Sequence, residues 1–254
     1  MLIDSHTHFY DEWLLPDADA AVARALAAGV GKMVQADVDS RERDALWAVN
    51  DRYPGALYPM VGLYPCSVGS GWKEEIDKML PYRERGAVAV GEIGLDYHEG
   101  DEDRALQKEA LRVQLELASE WDLPVNIHLR DAWGDLLTIL EDCRQLHLRG
   151  ILHCFSGSYE VYERARRCGE FSVGIGGVVT FKKASLAETV KRIPLEHIVL
   201  ETDAPYLAPV PHRGERNESA FLPLVAAKVA ELKGLSFEEV AAATTHNAET
   251  LYRI

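Results

Sequence analysis

The sequence predicts an α/β protein, a (βα)8 TIM barrel of the metal-dependent hydrolase type. Three observations point there. Eight short apolar runs rich in β-branched residues alternate with longer stretches of helical periodicity, the order of parallel strands each followed by a helix. A length of 254 residues suits one such barrel. Histidines and carboxylates stand at the C-terminal ends of several runs, the end at which barrel enzymes carry their chemistry. A doubly wound open sheet is the alternative. No internal repeat, low-complexity tract or linker breaks the pattern, so residues 1–254 are read as a single domain.

Residues 2–6 open the chain as a strand, lacking the basic start and apolar core of a targeting segment. Residues 18–28 carry Ala, Leu and Val at helical spacing, and a second strand is expected over 31–36. A helix over 40–52 leads to a third strand over 57–63, and a helix over 72–83 to a fourth over 86–92. Residues 103–121 repeat apolar positions at three and four (Leu106, Ala110, Leu111, Val113, Leu117, Ala118), a long amphipathic helix. Strands over 124–128, 150–154, 171–175 and 197–202 then alternate with helices over 131–145, 159–168 and 184–192. Residues 209–218, polar and with Pro, Gly and Arg, form a loop before helices over 219–233 and 236–250. Ser236 followed by Glu239 is a capping box for the last of these.

The hydrophobic fraction of 47% is ordinary for a globular protein. No run of eighteen apolar residues suggests a membrane helix. Cys66, Cys143, Cys154 and Cys168 have neither C-x-x-C nor framework spacing and read as reduced thiols of a cytoplasmic protein. Against 27 Lys and Arg stand 41 Asp and Glu, a net charge of −14. Such a surface repels a polyanion and excludes a protein that coats duplex DNA. A nuclease engaging only a strand end is still compatible, because bound divalent ions invert the local field.

The chemistry gathers at six positions. His6 and His8 are two residues apart on the first strand, so their imidazoles reach one side. Glu92, His128, His153 and Asp203 each close a later strand. One buried His is most often a hydrogen-bonded core residue, but six such groups converging need a cation to satisfy them. We therefore expect two divalent metal ions. His6, His8 and Asp203 would hold one, His128 and His153 the other, and Glu92 would bridge. A hydroxide held between the ions would be the nucleophile, and Asp203 also a general base. Imidazole ligands favour Zn, Mn, Fe or Ni over Mg. Asp4 and Glu201 are candidates to orient a ligand imidazole.

These residues lie in blocks that resemble one family: Ile3-Asp4-Ser5-His6-Thr7-His8, Val90 to Tyr97, Asn126 to Ala132, Leu152 to Gly157, Leu200 to Leu207, and Arg213-Gly214 with Asn217-Glu218. Together and in this order they are similar to the TatD-type metal-dependent deoxyribonucleases of the amidohydrolase superfamily. The resemblance implies a two-metal barrel with DNase activity, often 3′-to-5′ exonuclease on single strands. The family's ligand positions fall on His6, His8, Glu92, His128, His153 and Asp203, and Mg joins the set of ions. Two positions depart from the family. Tyr64 stands where a Gly-x-His-Pro block has histidine, and Ser219 where proline often follows Asn-Glu. The second is expected to affect only the start of a helix.

Phosphodiester cleavage needs cations on the non-bridging oxygens. Arg130, Lys182 (with Lys183 beside it) and Arg213 are the candidates for binding substrate. Tyr97, Phe155 and Tyr206 could stack on bases but are better read as packing residues. His98 is read as an exposed histidine near the mouth. His147, His197, His212 and His246 fall off the strand-end pattern and are assigned no chemistry. The function expected is hydrolysis of DNA, from a single strand or 3′ end, with no membrane and no stable protein partner. A hydrolase of a small-molecule ester, lactone or cyclic amide is the alternative, since fold and ligands do not fix substrate. A non-catalytic scaffold would be expected to lose Glu92 or Asp203, and both are present.

Overall fold

The computed structural model describes residues 1–99, 103–182 and 185–254. Eight parallel strands run in the order β1 to β8: β1 Leu2–Thr7, β2 Val30–Gln35, β3 Leu57–Val61, β4 Ala89–Asp96, β5 Val125–Arg130, β6 Arg149–Leu152, β7 Glu170–Ile175 and β8 Ile198–Leu200. The barrel closes where β1 meets the chain after β8. Ser5 Oγ donates to Leu200 O (2.9 Å), Asp203 N to His6 O (2.9 Å) and His8 N to Ala204 O (2.8 Å). An open doubly wound sheet would not return to its first strand.

Ten α-helices are described: α1 Ala18–Ala27, α2 Ser40–Asn50, α3 Trp72–Asp77, α4 Tyr82–Arg85, α5 Arg104–Trp121, α6 Trp133–Asp142, α7 Tyr159–Arg166, α8 Leu186–Arg192, α9 Leu222–Lys233 and α10 Phe237–Tyr252. The single helix expected over 72–83 is two, because Pro81 lacks an N–H and restricts the residue before it. Likewise α9 starts at Leu222, with Pro223 in its first turn, after a 3-10 turn at Ser219–Phe221. The Ser236–Glu239 capping box is present at α10. No described helix is long and apolar enough to cross a membrane.

One side of the strands packs under the helices through Leu2, Val30, Leu57, Val90, Val125, Leu152, Val173 and Ile198. A smaller cluster joins Ile3, Val34, Met60, Ala89, Ile151 and Val199 to Ala248 and Tyr252 of α10. Tyr252 reaches toward the site, its hydroxyl donating to Ser5 O (3.1 Å) and accepting from Asn126 Nδ2 (3.4 Å).

The largest departure from expectation is β4. It runs to Asp96, four residues past the end expected at Glu92. Gly91 and Gly94 disguise it, since glycine lowers strand propensity. Gly94 is required there: at φ +146° a Cβ would lie 2.0 Å from His128 O on β5. The extension brings Asp96 opposite Arg130 in the β4–β5 register.

Candidate metal centre

Five of the six expected ligand residues meet at the C-terminal mouth of the barrel. His6 Nε2 and His8 Nε2 are 3.0 Å apart. Asp203 Oδ1 lies 3.6 Å from the first and 3.5 Å from the second. Glu92 Oε2 is 3.4 Å from His6 Nε2, and Glu92 Oε1 is 3.9 Å from His153 Nε2. His6 and His153 stack with ring centroids 3.5 Å apart. Two sets of donors could each surround one ion: His6, His8 and Asp203, and His6, Glu92 and His153. His128, the sixth, joins them through Glu92, its Nδ1 2.8 Å from Oε1. The expected pair of His128 and His153 share one neighbour, since Glu92 Oε1 faces a ring nitrogen of each.

The fit of a cation follows from where the other ring nitrogens go. His6 Nδ1 donates to Asn126 Oδ1 (3.0 Å). His8 Nδ1 donates to Tyr10 Oη (3.1 Å), because that hydroxyl is itself spent on Ala36 O (2.7 Å). His153 Nδ1 lies 3.1 Å from the buried Glu201 Oε1, a close ionic contact without good hydrogen-bond alignment. In its neutral form, the one that binds a metal, each ring turns an unprotonated Nε2 toward the centre. Two lone pairs facing at 3.0 Å repel unless a positive charge lies between them. Donors bound ~2.0–2.2 Å from one ion are themselves separated by about 3.0–3.5 Å. The donor set therefore fits a divalent cation held by nitrogen and carboxylate oxygen.

In the metal-free fold, protons answer the same pull. Burial and the neighbouring His153 charge push His6 down. Burial also opposes charge on His8, His128 and His153, but the carboxylates outweigh it. His8 is raised by Asp203 and Glu92, His128 to about 9 by Asp96 and Glu92, and His153 to about 10 by Glu201 and Asp203. Burial opposes the charged forms of Glu92 and Asp203, yet the facing histidines hold both below the usual carboxylate range. The cluster thus draws positive charge to itself.

Backbone shape aims the groups. Asp203 sits at φ +57° and Cys154 at φ +45°, both just beyond a strand end. Such left-handed positions cost on the order of 1–3 kcal/mol and are held by surrounding contacts. Asp4 supplies some of them: its buried carboxylate accepts from Thr202 N (2.9 Å) and Thr202 Oγ1 (2.5 Å). Asp4 therefore fixes backbone, whereas Glu201 is the one of the two that faces an imidazole. Gly174 makes room for Glu201, since a Cβ there would lie 2.0 Å from Glu201 Oε2.

Above the centre opens a cavity of ≈ 670 Å3, whose lining includes His8, Asp11, Glu42, Tyr64, Glu99, Arg130, Phe155 and Tyr206. Arg130 is there but pairs with Glu99 (2.6 Å). Arg213 lies over the Phe181 ring at 4.5 Å and is not among the lining residues, nor is Lys182, which is exposed in a turn. Lys183 falls outside the described residues. Tyr64 lines the cavity with its ring edge-on to His128, 4.9 Å between centroids. Tyr97 is turned away to Asp135 (2.6 Å), and the buried Phe155 packs on Trp133. His98 pairs with Asp131 at 3.2 Å, His197 with Tyr162 at 2.5 Å and His212 with Glu215 at 2.8 Å. Ser219 does more than start a helix: it is buried, with Oγ 3.5 Å from Thr7 Oγ1 under β1.

Sequence reasoning gave no role to Asp96, Asn126, Tyr10 or Asn217. Asp96 Oδ2 accepts from His128 Nε2 at 2.9 Å. Asn217 Nδ2 donates to Thr202 O and Tyr206 O, both at 2.7 Å, clasping the loop that carries Asp203. Asn126 precedes His128 by two on one strand, a spacing that could have flagged it.

Comparison with known proteins agrees with this geometry. Residues 3–253 match the family described as TatD related DNase. The chain is 40% identical, over the full length of both proteins, to the uncharacterized metal-dependent hydrolase YabD of Bacillus subtilis. It is 35% identical to the 3′-5′ ssDNA/RNA exonuclease TatD of Klebsiella pneumoniae, covering 94% of this chain and 92% of that one. Among solved structures, the TatD homologue YjjV of Escherichia coli superposes with a TM-score of 0.89 at 31% identity, covering 100% of this chain and 98% of the other.

Proposed function

From the premise that this chain belongs to the TatD-related DNase family of metal-dependent hydrolases, we propose that it removes nucleotides from the 3′ end of single-stranded DNA by hydrolysing phosphodiester bonds. The observation that carries the reading is the convergence of the Nε2 atoms of His6, His8 and His153 with two carboxylates beneath one open cavity. Relatives at about one-third identity named as 3′-5′ ssDNA/RNA exonucleases support the substrate.

In this reading His6, His8 and Asp203 would hold one divalent ion and His153 and His128 a second, with Glu92 shared between them. Bound there, such ions supply Lewis acidity, activating water and polarising a P–O bond. The chain's own groups do the rest. Asp203 turns Oδ1 to His6 and His8, which leaves its other oxygen to accept the proton of the attacking water. Asn126, Tyr10 and Glu201 keep His6, His8 and His153 in the tautomer that presents Nε2. Asp96 fixes the tilt of His128. Arg130, on the cavity wall, meets the phosphate after exchanging Glu99 for it.

A second reading rests on the mouth. Asp11, Glu42 and Glu99 line it, and Arg130 is the lone Lys or Arg among the described lining residues. Such walls suit an uncharged ester, lactone or cyclic amide better than a polyanion. The two readings separate in one assay. A 5′-labelled single-stranded oligodeoxynucleotide is offered to metal-stripped protein and to protein restored with Mg2+, Mn2+ or Zn2+, beside Asp203→Asn and a panel of neutral esters and lactones. Stepwise metal-dependent shortening that the variant lacks supports the nuclease. Metal-loaded protein that leaves DNA intact yet opens a lactone or ester sinks it.

A further inference from the structure

The rim of the cavity carries aromatic surface that folding alone does not explain. Trp47, Trp72 and Trp121 are buried, and Trp133 packs on Phe155, whereas Trp13 is 56% exposed. Tyr206, 44% exposed, stands beside it with ring centroids 6.0 Å apart and planes tilted by 49°. The Tyr206 ring in turn lies 6.2 Å from His8. Trp13 thus stands two ring contacts from a proposed metal ligand, beside Tyr206, which lines the cavity.

The Tyr206 hydroxyl and the Trp13 backbone are both held in place. Asp11 accepts from Trp13 N through Oδ1 (2.8 Å) and from the Tyr206 hydroxyl through Oδ2 (2.6 Å), so one carboxylate braces both. Arg216 donates to Trp13 O (2.8 Å) while paired with Asp17 (2.5 Å). Tyr206 N donates to Asp203 O (2.7 Å), which ties the ledge to the loop bearing the proposed general base. An exposed indole on a braced loop costs solvation without adding to the core. It is suited to a planar partner that arrives from solution.

Charge points to the same partner. The wall below the ledge carries Asp11, Glu42 and Glu99, so backbone phosphates gain little there beyond Arg130. Stacking on aromatic rings holds single strands without relying on phosphate charge and accepts any base. Resting on the nuclease reading above, we propose that Trp13 and Tyr206 form a stacking subsite at the lip of the cavity, which takes a nucleobase of the strand end.

The test measures binding apart from turnover. Metal-loaded protein is titrated calorimetrically with dAMP and with 2-deoxyribose 5-phosphate, which lacks the base, using wild type, Trp13→Ala and Trp13→Phe. Trp13→Ala weakens dAMP about tenfold, Trp13→Phe keeps most of the affinity, and the sugar phosphate binds all three alike. Equal dAMP affinity in wild type and Trp13→Ala overturns the subsite, as does an equal loss for the sugar phosphate. Sedimentation of the same samples is the control. A change of oligomeric state in Trp13→Ala makes the ledge a contact between copies of the chain and also overturns it. Failure of the nuclease reading shows separately, as intact oligodeoxynucleotide with every ion.

Discussion

The floor and the rim of the cavity are built on opposite terms. On the floor, the second nitrogen of each histidine has a fixed partner: Asn126 for His6, Tyr10 for His8, Asp96 for His128 and Glu201 for His153. At the rim, exposed polar groups pair with each other, as Arg130 does with Glu99 and His98 with Asp131. A floor held this rigidly commits the molecule to one kind of chemistry. A rim of exposed pairs leaves the choice of substrate to a few replaceable side chains.

The contrast breaks most sharply at Asp203. Asp203→Asn is expected to keep the shape and most of the metal but to remove the proposed proton acceptor, so kcat should fall by about 10²–10⁴. Turnover of the oligodeoxynucleotide is read beside metal content by atomic emission. A variant with wild-type kcat removes Asp203 as the general base.

One layer further out the effect shrinks. Asp96→Asn and Glu201→Gln leave the proposed ligands in place but lose the charge behind His128 and His153. Each is expected to cost about 10–100-fold in metal affinity or activity, read by competition with a chelator. Unchanged affinity and rate in both would make these carboxylates mere packing.

This outer layer is also where the sequence was least legible. The order of strands and helices followed from hydrophobic period, and the six proposed ligands from polar groups at strand ends, because both signals are local. Asp96 was hidden because Gly91 and Gly94 masked the true end of β4. Asp4 was expected to face an imidazole through strand parity. The β1–β2 register shifts between Asp4 and Thr7, and its carboxylate goes to Thr202 instead. Tyr10 and Asn217 lie outside any strand, where no periodicity points to them. Partners brought together by tertiary closure leave no spacing to read.

Acidity offers a gentler probe of the floor. His128 and His153 are held at about 9 and about 10 in the metal-free fold, against ~6.5 in an unfolded chain. Between those values the folded state binds more protons than the unfolded one, so stability falls as pH rises. The melting temperature of metal-free protein is therefore expected to drop from pH 7 through pH 9–10. Saturating metal removes the drop by displacing those protons. A flat profile in the metal-free protein rejects the proposed charge balance.

The smallest effects belong to the rim, and two arginines sharpen the contrast. Arg130 lines the cavity with its side chain 46% exposed and paired to Glu99, while Arg213 rests on Phe181 away from the lining. An exposed pair of this kind contributes under about 1 kcal/mol, so Arg130→Ala should barely move the melting temperature. Its KM for a phosphodiester should rise by about fivefold or less, since one solvated cation is all that is lost. Arg213→Ala should leave that KM within about twofold of wild type. Neutral ester substrates serve as the control, and neither variant should alter their KM. An Arg213 effect larger than that of Arg130 would mean that the loop after β8 folds over the substrate, and the phosphate contact would then be assigned to Arg213 in place of Arg130.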